Sequence, residues 1–361
     1  MHRNSWLDKN GLNERVLSPD LQCEAIALQR QGELTKPAGS LGQLESLAVR
    51  LAALQKKQAP SVEKSHIVIF AADHGIVSEG VSAFPQAVTL EMIRNFSRGG
   101  AAISVLAKSL NIPLQVLNLG TVKPLEDLPG VKNRHIAAGT QNFLIADAMR
   151  EPELQQAFAV GKASIDDLQQ NGCDLFIGGE MGIGNTTSAT AMAALVLGLD
   201  VAAVCGAGTG LDTQGVKYKV SVINAALAFH QLNQQSSVYE ILQKVGGLEI
   251  AALCGAYIRC GQLGIPVLVD GFICSVAAFL ACKIQAALKP WLFFSHQSAE
   301  PGHALLLAAL DAKPLLQLNM RLGEASGAAL ALPLIRSACL LHNTMATFTE
   351  ADVSTAATRH E

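Results

Sequence analysis

Residues 174–198, D-L-F-I-G-G-E-M-G-I-G-N-T-T-S-A-T-A-M-A-A-L-V-L-G, constrain this chain more than any other stretch. The apolar run 175–177, closed by Gly178 and Gly179, predicts a buried parallel strand ending in a tight turn. From Ser188 the residues are small and helix-compatible, with Gly198 as the stop. Between them lie Glu180, Gly182, Gly184, Asn185, Thr186 and Thr187. Strand, glycine loop and helix N-terminus suit an anion: the backbone approaches closely, N–H groups point outward, and the helix dipole favours negative charge. The Thr hydroxyls would cap the helix or touch a phosphate, and Glu180 beside the cradle suits ribose hydroxyls. The plainer alternative is that the glycines only turn the chain and a Thr caps the helix. A Walker loop is excluded, since no Lys stands at the required place, and G-x-G-x-x-G fails at Thr187.

The same logic recurs along the chain. Residues 66–71, 113–118, 266–269, 291–295 and 318–324 predict further strands, and residues 201–204 another before Gly206, Gly208, Thr209 and Gly210. Helices are predicted to open at Ser18-Pro19-Asp20, over leucines 41, 44, 47, 51 and 54, at Gln86, over 146–170, at Lys217 and Lys219, after Gly247, and over 325–343. This alternation predicts an α/β fold, a doubly wound, mostly parallel sheet flanked by helices. Residues 60–324 form the α/β substrate-binding domain in this reading. Residues 1–59 and 325–361 form a smaller helical domain with a frayed tail from Asp352. Right-handed crossovers bring the polar turns to one edge, gathering Asp73, Glu180, residues 206–209, Asp270, Ser298 and Glu324. The Asp73-His74 pair fits a turn with a satisfied imidazole better than a catalytic dyad.

Composition removes several classes of function. A net charge of −3 without a basic run argues against nucleic acid. The apolar stretch 181–199 is interrupted by Asn185, Thr and Gly, and 272–282 is too short to span a membrane. The first ten residues lack the apolar core of a secretory signal, so a cytoplasmic protein is expected. Eight cysteines without a C-x-x-C pair suit buried, reduced thiols. The acids are scattered, which speaks against a metal site, and V-L-V-D-G-F has one acid where a diphosphate-donor loop carries two. Glu324 has two readings, a carboxylate on a helix dipole, worth about 0.3–1 kcal/mol, or a catalytic base.

Six motifs decide between them: K-P-A-G-S-L-G-Q-L-E, A-A-D-H-G-I-V-S-E-G-V-S-A-F-P-Q-A-V-T, G-E-M-G-I-G-N-T-T-S-A-T-A, G-A-G-T-G-L-D, S-H-Q-S-A-E-P-G-H and R-L-G-E-A-S-G-A-A-L-A. In that order, over roughly residues 30–345, the chain resembles the nicotinate-nucleotide–dimethylbenzimidazole phosphoribosyltransferases. The resemblance implies transfer of phosphoribosyl from nicotinate mononucleotide to 5,6-dimethylbenzimidazole. The products would be nicotinate and α-ribazole 5′-phosphate, for the lower ligand of cobalamin. It implies Glu324 as general base, since attack by one ring nitrogen acidifies the N–H on the other. It implies Ser82, Gln86 and Leu322 around the benzimidazole, and Gly182, Gly208, Lys219 and Ser298 around the phosphate. Glu180 would face the ribose and reaction centre, and Gly184, Asn185, Thr186, Gly206, Thr209 and Gly323 complete the substrate-binding set. No cofactor or metal is implied, and a homodimer is. Two rivals stand beside it: a sugar or vitamin kinase, for which no nucleoside-triphosphate motif is present, and a non-catalytic nucleotide or benzimidazole binder, against which Glu324 in a complete motif set argues.

Overall fold

The computed structural model describes residues 11–354; the readings of the first ten residues and of the tail beyond residue 354 lie outside the described residues. Strands β1 (Ser65–Ala72), β2 (Leu114–Gly120), β3 (Val131–Asn133), β4 (Leu175–Met181), β5 (Val267–Val269) and β6 (Leu292–Phe294) form one sheet. Its order is β3-β2-β1-β4-β5-β6, and every neighbouring pair is parallel. The central pair, β1 and β4, is buried almost throughout, which is why both read as continuous apolar runs rather than alternating ones. Strand order reverses between β1 and β4. A doubly wound sheet opens a crevice there, beyond the carboxyl ends of its strands.

Helices cover both faces. Leu248–Leu263 lies against Glu151–Gln170 at backbone distance: a methyl on Gly161 would overlap the Ala252 carbonyl, and one on Gly255 would lie 2.5 Å from the Phe158 carbonyl oxygen. At the chain ends, Leu21–Glu33 and Gln43–Gln55 pack with Ser326–Thr344, and Leu34 pairs with Thr347. The first of these helices opens one residue after Asp20, whose carboxylate accepts from the Cys23 N–H at 2.8 Å.

Several expectations need correction. Gly178 and Gly179 do not turn the chain; β4 runs through them to Met181. A Cβ on Gly178 would lie 2.6 Å from Leu253, and one on Gly179 would lie 2.9 Å from the Cβ of Ala325. The glycines are there because a helix and a loop close on the strand from its two faces. Val201–Val204 is one helical turn, not a strand: Val201 and Val204 are buried while Ala202 and Ala203 are exposed, a spacing of three. Residues 318–324 form no strand; among the described residues, the sheet gains only a single bridge past β6, His296 to Leu316. The helix expected from residue 146 starts at Glu151, where the Glu153 carboxylate reaches back to accept from the Arg150 N–H at 2.7 Å. β3 and the helix Ala102–Ser109 were not anticipated. β3 is three largely exposed residues with one apolar side chain, too little pattern to register.

Candidate active site

The segments following β4, β5 and β6, with the loop before Ser326–Thr344, enclose a cavity of about 600 Å³, a size suited to a small ligand. Glu180, Gly182, Asn185, Thr186, Gly208, Thr209, Ser298, Leu322, Gly323 and Glu324 line it. The other expected residues stand one layer out. Gly184 (φ 93°) packs on Val77 and His74, and Gly206 backs onto Glu300. Lys219 is fully buried, its Nζ donating to Thr186 Oγ1 at 3.2 Å. Ser82 Oγ lies 3.3 Å from Thr209 Oγ1, and Gln86 donates to the His74 carbonyl at 3.1 Å. Asp73 does not join the site: its Oδ2 accepts from the Val122 N–H at 2.8 Å and ties the end of β1 to the loop after β2. His74 Nε2 meets Glu249 at 2.7 Å, both fully buried, but Nδ1 has no hydrogen-bond partner among the described residues, so the imidazole expected to be satisfied is satisfied on one side alone.

The anion cradle differs from its sequence reading in two respects. No Thr caps the helix Asn185–Leu197; Gly184, in the left-handed region, occupies the cap position without a side-chain bond. The Gly208 N–H is also not free, because it donates to Glu300 Oε1 at 2.9 Å while the Gly208 carbonyl accepts from Arg321 at 2.8 Å. A carboxylate and a guanidinium from a distant part of the chain thus clamp the second glycine loop.

Glu324 sits in the middle of a left-handed run, Gly323 (φ 83°), Glu324 (φ 62°) and Ala325 (φ 63°). Two non-glycine residues in that region are strained, and such strain persists only where the surroundings over-determine it. Here Gly179 lets the loop lie directly on β4, and the Glu180 carboxylate fills the space beside Gly323. The Asn185 amide in turn donates to Glu180 Oε2.

The apolar wall was largely missed. Phe84, Val88, Met92, Phe272 and Ile273 line the cavity. Val88 and Met92 stand four apart on the helix Ala87–Arg98, a spacing that could have flagged one face. A groove of about 670 Å³ lies between Gln43–Gln55 and β6, lined by Arg50, Phe293 and Lys313 among others. Asp311 is the one acid among the residues that line it, so the chemistry is assigned to the first cavity.

Residues 16–353 match the model of a family described as phosphoribosyltransferase. Nicotinate-nucleotide–dimethylbenzimidazole phosphoribosyltransferases from Pseudomonas fluorescens (strain SBW25) and Pseudomonas aeruginosa (strain UCBPP-PA14) are 57% and 56% identical to this chain; each alignment covers 93% of this chain and 95% of the relative. This chain belongs to that family. Crystal structures of CobT and of the phosphoribosyltransferase of the same name, both from Thermus thermophilus, superpose with TM-scores of 0.89 and 0.88. Both are 42% identical, over 93% of this chain and all of theirs.

In this phosphoribosyltransferase, acids scattered in sequence converge in space. Burial, then the charges of Asp270, Glu249 and Glu324, push the Glu180 carboxyl up to about 8. Burial and the Asp270 charge push Glu324 up to about 7. Desolvation and a like charge therefore prevail over any pull from the helix dipole. Burial holds the Lys219 ammonium below its usual range, with Cys205 and Glu300 pulling the other way. Behind Ser298, His303 is brought down to about 3 by burial and His296, so it stays neutral. It accepts from the Ser298 N–H at Nδ1, 2.8 Å, which leaves its Nε2–H to meet Ser275 Oγ at 2.9 Å. All eight cysteines are free, and no described helix is long and apolar enough to cross a membrane.

Proposed function

We propose that this protein transfers the phosphoribosyl group of nicotinate mononucleotide to 5,6-dimethylbenzimidazole, giving α-ribazole 5′-phosphate and nicotinate for the lower ligand of cobalamin. The observation that carries the reading is Glu324: a buried carboxylate that titrates near 7, at the edge of a cavity with an apolar wall. A general base works best with a pKa near the operating pH.

The two ends of the cavity suit the two substrates. Gly182 and Ser298 line the end suited to a phosphate, Lys219 behind Thr186 and Arg321 beside Gly208 supply positive charge, and Gly208 contributes close backbone approach rather than a free N–H. Glu180 and Asn185 suit the ribose. Phe84, Val88, Met92 and Leu322 form a slot for a flat apolar base, with Ser82 and Gln86 at its rim. One azole nitrogen attacks the anomeric carbon on the face opposite nicotinate, inverting β to α. Nicotinate departs as a neutral pyridine because its ring nitrogen was already cationic. The proton on the second azole nitrogen passes to a Glu324 oxygen. In the same reading the protein is a cytoplasmic homodimer, which light scattering at twice the chain mass would support.

The deciding assay is nicotinate release from nicotinate mononucleotide with and without dimethylbenzimidazole, on wild type and Glu324→Gln. Release that depends on the base, and falls about 10²–10⁴-fold in a folded variant that still binds both substrates, is expected. Near-normal kcat in Glu324→Gln would remove the base assignment and turn attention to Glu180. Release indifferent to dimethylbenzimidazole would remove the transferase reading itself.

A further inference from the structure

Asp270 follows β5, is 1% exposed, and no role for it follows from the reaction as described above. Its Oδ1 accepts from the Ala328 N–H at 2.9 Å, in the first turn of the helix that Glu324 and Ala325 lead into. Its Oδ2 is buried without a hydrogen-bond partner among the described residues. The cap position of that helix, Ala325, has no side chain able to satisfy its amides, and Asp270, one residue past β5, accepts from one of them. The neighbouring imidazole, His296, has Nδ1 3.9 Å from Oδ1 and also 3.1 Å from Ser295 Oγ. The carboxylate is thus fixed at one oxygen and uncompensated at the other, directly behind a strained loop.

We propose that Asp270 is the positioning residue of this site: its carboxylate, bonded to the Ala328 amide, holds the left-handed loop that presents Glu324 to the cavity and sets a fixed negative charge beside it. This rests on the reading of Glu324 as the base. The other ionisable groups at this cavity are Glu180 at the end of β4, Cys274 on the helix Phe272–Ile284, His296 and Glu300 after β6, and Arg321 on the Glu324 loop; Glu249 acts on Glu180 from behind. Arg321 is committed to the Gly208 carbonyl. The Glu180 carboxyl is itself pushed up to about 8, and the charge that raises Glu324 beyond the effect of burial is that of Asp270.

The test is the pH profile of kcat from pH 5 to 9 for wild type, Asp270→Asn and Asp270→Ala, with Glu324→Gln as control. Asparagine keeps the shape and the acceptor for Ala328 but removes the charge. The acidic limb, near 7 in wild type, is expected to move down by about one pH unit in Asp270→Asn. Alanine removes charge and bond together. A displaced base of this kind costs on the order of 10²-fold in kcat, with KM for nicotinate mononucleotide little changed, and asparagine should recover most of that loss. An unmoved limb in Asp270→Asn, or equal rates for the Asn and Ala variants, would overturn the proposal. So would a wild-type limb in the ordinary carboxylate range, a measurement that needs no variant to fold. Normal turnover in Glu324→Gln would instead mean that the reading of the base is wrong.

Discussion

Replacing Glu324 by Gln should stabilise the protein at neutral and alkaline pH while it slows turnover by about 10²–10⁴-fold. The carboxyl titrates at 4.5 in the unfolded chain and at about 7 in the folded one. Between those values the folded protein keeps a proton that the unfolded chain has released. Stability therefore falls with rising pH, by about 1.4 kcal/mol per pH unit. The penalty is absent below pH 4.5, accumulates up to pH 7 and stays constant above it, reaching about 2–3 kcal/mol once the cavity's access to solvent is allowed for. Glutamine cannot ionise and escapes it. With an unfolding entropy of about 2.1 cal/mol/K per residue, that gain raises the thermal midpoint of a chain this size by about 3–4 °C. Midpoints of both proteins should coincide near pH 4 and separate by that amount at pH 8, the variant higher. The reading of Glu324 as a mere helix-terminus anion demands the opposite, a loss of about 0.3–1 kcal/mol. Parallel midpoint curves, or a variant that melts below wild type at pH 8, would refute the burial-and-repulsion account. An essential group that destabilises the protein carrying it is a common compromise between function and stability.

Two further outcomes follow from the cavity. Lys219→Ala should raise KM for nicotinate mononucleotide about 10–100-fold with kcat little changed, because a phosphate counter-charge acts equally in ground and transition states; exposed Lys217→Ala is the control, and a fall in kcat at constant KM would show Lys219 misassigned. Gly179→Ala should cut kcat by about 10²-fold or more in steady-state assays, since the new methyl would lie within 3.1 Å of Ala325 N and Glu324 C and push the loop off β4; a fully active variant would mean that this loop tolerates displacement.

The sequence by itself determined the parallel α/β class. Buried strands such as β1 and β4 must be apolar on both faces, and helices must separate them, so the pattern of runs and glycine turns is a direct record of the fold. The left-handed stop at Gly198 and the strand-loop-helix order around Glu180 were legible for the same reason: they depend on contacts within a few residues. Part of the polar cavity lining, Glu180 and Gly208 among it, followed because parallel strands deliver their carboxyl ends to one edge.

What the sequence left open depends on residues far apart in the chain. Gly178 and Gly179 look identical to turn glycines until Leu253 and Ala325 are seen pressing on β4. Val201–Val204 is as apolar as a strand, and only its buried spacing of three makes it helical. Nothing local marks Glu300 as the partner of the Gly208 amide, or Asp270 as the cap of a helix that starts more than fifty residues later. The basicity of Glu324 belongs to the same class. A carboxylate at a helix start is stabilised if it faces water and the dipole, and destabilised if it is buried beside another carboxylate. Tertiary structure buried it and brought it near Asp270; that burial first, and then the Asp270 charge, neither of which local sequence encodes, raise its pKa.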